Sequence, residues 1–253
     1  MDDDIQNLRT LLQERGIDEE QLRPDRHGTI VPPTHLTGST SAWSTALEPL
    51  PPAGAIGERV IELREEIGRG GMGVVHAGWQ RSLDREVAVK TVLDSSRTAD
   101  AQALLREAWI TGQLQHPNVI PVHTMYLDDG APLLVMKRVE GHAWSEVLRR
   151  GRPLEAELRT FTQLCHVVHF AHTRGFVHLD LKPANVMIGS FGEVYLLDWG
   201  VAASTRDDAP PYIPRVRDLR FVIGTPAYMA PELVAADGAI DARTDVYLMG
   251  AVL

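Results

Sequence analysis

The run His178-Leu179-Asp180-Leu181-Lys182-Pro183-Ala184-Asn185 places an acid, a cation two residues later and an amide five residues later on one Pro-containing loop. An aspartate so placed can accept the proton of an attacking hydroxyl, and Lys182 can offset negative charge on a transferred group. A second acid, Asp198, ends an apolar run in Leu196-Leu197-Asp198-Trp199-Gly200. Asp198 and Asn185 both offer oxygen ligands, the donor type suited to a hard cation such as Mg²⁺.

Upstream, Ile67-Gly68-Arg69-Gly70-Gly71-Met72-Gly73-Val74-Val75 carries Gly68, Gly70 and Gly73 in a G-x-G-x-x-G pattern. Such glycines let the backbone approach phosphates and aim its N–H groups at them. A dinucleotide-binding turn has the same spacing, but it needs a helix directly after the glycines. Strand-like residues 74–79 follow here, so a hairpin flap over phosphates fits better. Lys90 ends the run Glu86-Val87-Ala88-Val89-Lys90, where a cation on an apolar strand is costly unless paired. Glu107 is the one glutamate between Lys90 and Glu140, which makes it the economical partner. Two unrelated surface charges are the alternative.

These residues need elements to hold them. Short strands are expected at 60–67, 73–79, 85–92, 119–127 and 132–135, interrupted by a helix at 99–114. After Gly141 the pattern turns helical, at 143–149 and 154–174. A strand pair at 186–188 and 194–197 follows, then a long polar loop and a helix beginning near Thr244. The expected layout is a small β-rich lobe and a larger helical one with a cleft between them. Residues 1–56 differ. A short helix is expected around Ile5–Leu12, followed by a stretch rich in Pro, Ser, Thr and Gly, read as a disordered arm. Its hydroxyls between Thr34 and Thr45 make it a candidate for phosphorylation, with a plain linker as the alternative.

Composition narrows the partners. There are 25 Lys+Arg against 34 Asp+Glu, a formal charge of −9, and the first twenty residues carry more than half of the excess. That balance argues against attachment to nucleic acid or anionic lipid by bulk charge. A single cysteine, Cys165, rules out an intramolecular disulfide framework and suits a reducing compartment. No apolar run is long enough to span a membrane, and the acidic start does not resemble a secretory signal. The chain is expected to be soluble and cytoplasmic, with anchoring through residues beyond Leu253 left open.

From about residue 57 onward the chain resembles a eukaryotic-type (Hanks-type) protein serine/threonine kinase catalytic domain of the bacterial branch. The motifs that carry the resemblance are the glycine loop at 68–75, the strand Lys90, the helix Glu107, the catalytic loop 178–185 and the metal motif Asp198-Trp199-Gly200. The closing segment Gly224-Thr225-Pro226-Ala227-Tyr228-Met229-Ala230-Pro231-Glu232 belongs with them, and Asp245 begins the helix that would brace the catalytic loop. The resemblance implies an α+β, bilobal fold, with an N-lobe at about 57–138 and an incomplete C-lobe at about 139–253. It implies ATP and Mg²⁺ as cofactors and protein Ser/Thr hydroxyls as acceptors. Gly68, Arg69, Gly70, Gly71, Met72, Gly73 and Val75 would cover the nucleotide. Ala88, Met136, Lys137, Val139 and Met187 would surround its base, with Lys90 on the phosphates, fixed by Glu107. Asn185 and Asp198 would hold the metal, Asp180 would orient the hydroxyl, and Thr225 would hydrogen-bond Asp180 and Lys182.

The chain departs from the family pattern in three places. Leu179 stands where an arginine usually precedes the catalytic aspartate, and Ala184 where some basophilic kinases carry an acid. The sequence also stops inside the bracing helix, before the arginine that normally pairs with Glu232, which favours a fragment of a longer chain. Two other functions compete: a pseudokinase or ATP-binding scaffold, and a small-molecule kinase of the aminoglycoside type. The five catalytic side chains weigh against the first, and the glycine loop and closing segment against the second. Cys165, His169 and His172 share a helix face, but no second cluster completes a zinc site. Trp79, Trp109 and Trp144 read as packing residues. From Arg206 to Gly224 the only hydroxyl is Tyr212, so with Leu179 in place an activation loop held by packing is expected, through Phe221 and Val222 or a partner.

Overall fold

A computed structural model of the chain describes residues 30, 60–70, 73–93, 98–128, 131–219, 222–235 and 239–253. Five of the described strands form an antiparallel sheet: β1 (Ile61–Arg69), β2 (Gly73–Gln80), β3 (Arg85–Val92), β4 (Val122–Asp128) and β5 (Ala131–Lys137), in the order β1-β2-β3-β5-β4. Helix α1 (Thr98–Gln113) lies against this sheet. Its Leu104 and Ala108, four residues apart on one face, pack on Leu134 of β5. Ile110 and Leu114 reach instead into the core of the second lobe, so α1 is buried from both sides.

The second lobe is built on α2 (Trp144–Arg150) and α3 (Leu154–Thr173). In α3 the buried residues Thr160, Leu164, Val167, Val168 and Ala171 follow a helical stripe, and Glu155 and Glu157 sit favourably in the first turn. The helix stops at Gly175, whose φ of +79° suits a residue without Cβ. Three short strands, β6 (Gly141–Ala143), β8 (Val186–Gly189) and β9 (Val194–Leu196), form a sheet under the cleft. A pair made of β7 (Phe176–Val177) and β10 (Ala203–Ser204) flanks the catalytic loop. Two helices follow, α4 (Pro231–Ala235) and α5 (Ala242–Val252). Asp241 caps α5 by accepting from Arg243 N–H at 2.8 Å, and its own N–H donates to Thr244 Oγ1. Thr244 in turn donates to Glu232 at 2.7 Å. This is an α+β, bilobal architecture.

Several boundaries move. β4 begins at Val122 and not at 119, because Pro121 has no N–H to donate to a ladder; Val119 instead makes an isolated bridge to Leu196. Ala143 belongs to β6, and the helix starts one residue later. Strands β7 and β10 and helix α4 are too short to show a period. Residues 1–29 and 31–59, the short helix and the hydroxyls of 34–45 among them, lie outside the described residues, as do Gly71, Met72 and Phe221.

Gly141 shows how closely the small sheet is packed. A Cβ there would stand 2.1 Å from the Ile188 carbonyl oxygen, on the partner strand. Gly141→Ala must push β6 from β8 and is expected to cost about 1–3 kcal/mol. Thermal denaturation should show Tm lowered by several degrees, and an unchanged Tm would contradict this packing.

Candidate active site

The catalytic loop leaves β7 and turns under the cleft around one carboxylate. Asp245 of α5 is fully buried. It accepts from the N–H groups of His178 and Leu179, each at 2.9 Å, and contacts His172 Nε2 at 2.8 Å. Leu179 has φ +67°, a left-handed conformation that costs a residue with a Cβ about 1–3 kcal/mol. The hydrogen bond to Asp245 holds it there. His178 Nε2 contacts the Leu197 carbonyl at 3.1 Å while Nδ1 accepts from the Asp180 N–H. Those contacts fit the tautomer that carries its proton on Nε2. His172 is thus engaged with Asp245, and His116 Nδ1 accepts from the Asn118 N–H.

Asp180 and three other side chains close a buried network. Lys182 Nζ lies 2.9 Å from Asp180 Oδ2 and donates to Thr225 Oγ1 at 2.7 Å. Thr225 donates to Asp180 Oδ1 at 2.6 Å, and Asn185 Nδ2 donates to both the Asp180 carbonyl and Oδ2. Asp180 and Lys182 are each 2% exposed, so their opposite charges must balance within the network. Gly224 permits this closeness. Its φ is +102°, and a Cβ there would stand 2.7 Å from the Leu179 carbonyl oxygen.

Across the cleft, Lys90 of β3 meets Glu107 of α1 at 2.5 Å. Burial pushes the Glu107 carboxyl up against the pull of Lys90, and nearby Asp198 adds to the upward shift. Burial also acts to raise Asp198, but Lys90, Lys182 and the Gly200 N–H outweigh it and hold this carboxyl below the usual range. Asp198 shares the left-handed backbone of Leu179, with φ +62°. Trp199 behind it is fully buried against His178, ring centroids 4.7 Å apart, and its Nε1 has no hydrogen-bond partner among the described residues.

A cavity of about 280 Å³ lies between these two groups. Of the residues expected from the sequence to hold nucleotide or metal, Gly68, Arg69, Gly70, Gly73, Val75, Ala88, Lys90, Met136, Lys137, Val139, Asn185, Met187 and Asp198 line it, and so does Glu107, expected only as the partner of Lys90. Gly70 N–H donates to the Gly73 carbonyl and closes the glycine turn. A Cβ on Gly73 would stand 2.3 Å from the Thr91 carbonyl oxygen, so β2 can run this close to β3 only as glycine. Lys137 Nζ donates to Tyr195 Oη at 2.5 Å. Ile67, Ile120, Ala184 and Leu197 line the cavity too and were missed. Ile120 and Leu197 pack with Ala88 and Met136 in one apolar cluster, a long-range grouping without a local signal.

Residues 61–253 match the family described as Protein kinase domain. Serine/threonine-protein kinase PknD of Protochlamydia amoebophila is 32% identical over 219 residues, covering 76% of this chain and 22% of that protein. The protein of the same name from Chlamydia trachomatis serovar D is 32% identical over 223 residues, covering 76% of this chain and 24% of its own length. The Chlamydia caviae protein is 32% identical over 213 residues, 74% of this chain and 23% of that one. The chain therefore spans less than a quarter of the length of these relatives. The match over 61–253 includes the catalytic loop, the Lys90–Glu107 pair and the cavity between them, and the chain belongs to the protein kinase domain family.

Proposed function

We propose that this chain is an ATP-dependent protein serine/threonine kinase, formed of an arm at 1–56 and a catalytic domain at 57–253. The observation that carries the reading is the neutral, buried network of Asp180, Lys182, Thr225 and Asn185 beside a cavity whose far wall is the Lys90–Glu107 pair. Phosphoryl transfer needs little covalent chemistry from a protein, and most of its catalysis is positioning and charge neutralisation. The apolar part of the cavity, formed by Val75, Ala88, Met136, Val139 and Met187, takes the adenine ring. Lys90, oriented by Glu107, holds the α- and β-phosphates. Asn185 and Asp198 hold Mg²⁺. The donor set supports this, since Asn185 turns its Nδ2 to Asp180, which leaves Oδ1 for a cation, and Asp198 is kept ionised. When bound, that cation neutralises charge on the phosphates.

Asp180 accepts the proton of the substrate hydroxyl. Its two oxygens are oriented by Thr225 and by Asn185 and Lys182. Lys182, within the same network, offsets charge on the transferred phosphoryl group. Substrates are proteins with Ser or Thr, this chain among them, with the hydroxyls of 34–45 as acceptors. No helix among the described residues is long and apolar enough to cross a membrane. The cytoplasm, where ATP is abundant, is the compartment this chemistry suits.

Lys90→Met and Asp198→Asn should each lower transfer to a generic basic protein by about 100-fold or more, while melting stays cooperative. Asp180→Asn should lower turnover with little change in ATP affinity, because its role is toward the hydroxyl. Turnover and ATP affinity falling together in Asp180→Asn would refute that role.

The activation segment generates a separate expectation. Leu179 is fully buried in the same core as Val222 and Ile223, so this position packs the loop from within and offers no charge to a phosphate. Ser204 is 1% exposed, and its hydroxyl donates to the Gly175 carbonyl at 3.2 Å. Phosphatase-treated protein should keep most of its activity, and Ser204→Ala with Thr205→Ala should change the rate little. Loss of activity in either experiment would mean that a loop phosphate is required.

A further inference from the structure

Helix α1 meets the activation segment along one row of residues spaced by three, Ala103, Arg106 and Trp109. Ala103 and Val201 are both buried and form a small apolar cluster of their own. Arg106 Nη1 donates to the Gly200 carbonyl at 3.3 Å. The ring of Trp109 lies against that of Tyr212, centroids 3.8 Å apart and planes inclined by 54°. Glu107, the partner of Lys90, falls within this row. Tyr212 is itself fixed. It packs against the core of the second lobe, and the Ser204 N–H donates to the Pro214 carbonyl at 2.8 Å, which ties its turn to β10. The aromatic contact therefore joins α1 to the second lobe.

Arg106 is the unexpected member of the row. It is 9% exposed, its Nε has no hydrogen-bond partner, and no carboxylate pairs with it among the described residues. Burial brings its guanidinium down to about 10. A buried cation costs free energy that a single carbonyl does not return. What Arg106 contributes is orientation. The Gly200 N–H acts on Asp198 from one side of the Gly200 Cα, and Arg106 holds the carbonyl on the other. Two adjacent residues of α1 thus reach Asp198 by separate routes, Glu107 through Lys90 and Arg106 through Gly200.

We propose that Arg106 and the Trp109–Tyr212 contact are positioning elements for phosphoryl transfer: they lock the activation segment onto α1, holding Glu107 toward Lys90 and Gly200 toward Asp198. The inference rests on the kinase reading above. Leu179 is uncharged and buried, so it offers a loop phosphate nothing to pair with, and this lock orders the segment in its place.

The test uses the full chain with Mg-ATP and an added basic protein. Tyr212→Ala should lower kcat at least about tenfold, and Tyr212→Phe should keep it, because the ring and not the hydroxyl makes the contact. Should Tyr212→Ala fail to melt cooperatively, Tyr212→Leu takes its place with the same expectation. Trp109→Ala should lower kcat as far, and the double variant no further, since both remove one contact. Arg106→Met keeps the bulk and drops the charge, so kcat should fall at least about fivefold while Tm holds or rises. A purely structural role would lower kcat and Tm together. Without ATP, amide hydrogen exchange across α1 should be at least about tenfold faster in Tyr212→Ala than in Tyr212→Phe. Additive losses at Trp109 and Tyr212 would overturn the proposal. So would a Tyr212→Phe as impaired as the alanine variant, an Arg106→Met whose activity is intact or tracks its Tm, or α1 exchange indifferent to Tyr212. Those results beside normal transfer by the unaltered chain defeat this inference alone, whereas no transfer by the unaltered chain defeats the kinase reading and this inference with it.

Discussion

A buried carboxylate is the constraint on which the site depends. Asp245 has no solvent to stabilise its charge, so its oxygens must be satisfied by donors, and the backbone N–H groups of His178 and Leu179 supply two of them. Satisfying them holds Leu179 in a conformation that a leucine rarely adopts. The next residue is Asp180. Its direction is set by that turn together with the hydrogen bond between its own N–H and His178. The ring of His178 is tied in turn to the Leu197 carbonyl, just before Asp198. One carboxylate on the last described helix thus governs two acids in the cleft.

Charge balance does the rest. Asp180 is matched by Lys182, and Glu107 by Lys90, so each of these two buried acids has a cation beside it. Asp198 lies within reach of both lysines, which keep it ionised despite burial. Its partners come from different lobes: Lys90 from the sheet and Lys182 from the catalytic loop. Separating the lobes would therefore loosen the acid that the proposed cation needs.

Legibility in the sequence followed distance along the chain. Asp180, Lys182 and Asn185 lie within six residues of one another on one loop, so their spacing alone pointed to chemistry. The Lys90–Glu107 pair was legible by elimination, since no other glutamate intervenes. The bracing role of Asp245, 66 residues from Leu179, was accessible only through the family resemblance. Leu179 read as a departure; its burial shows what the position does here, which is to fill the core under the activation segment. Ile30 gave no sign at all. It sits in a Pro- and Thr-rich stretch without periodicity, and it is bridged to a residue 194 positions away.

The claim that Asp245 positions Asp180, and not the nucleotide, can be measured through Asp245→Asn. The amide keeps the shape and one acceptor but turns an NH₂ toward one of the two backbone donors. Steady-state kinetics with separate determination of kcat and of KM for ATP should show kcat reduced at least about tenfold, with KM changed less than about threefold. An unchanged kcat, or a KM that rises as far as kcat falls, would contradict the account.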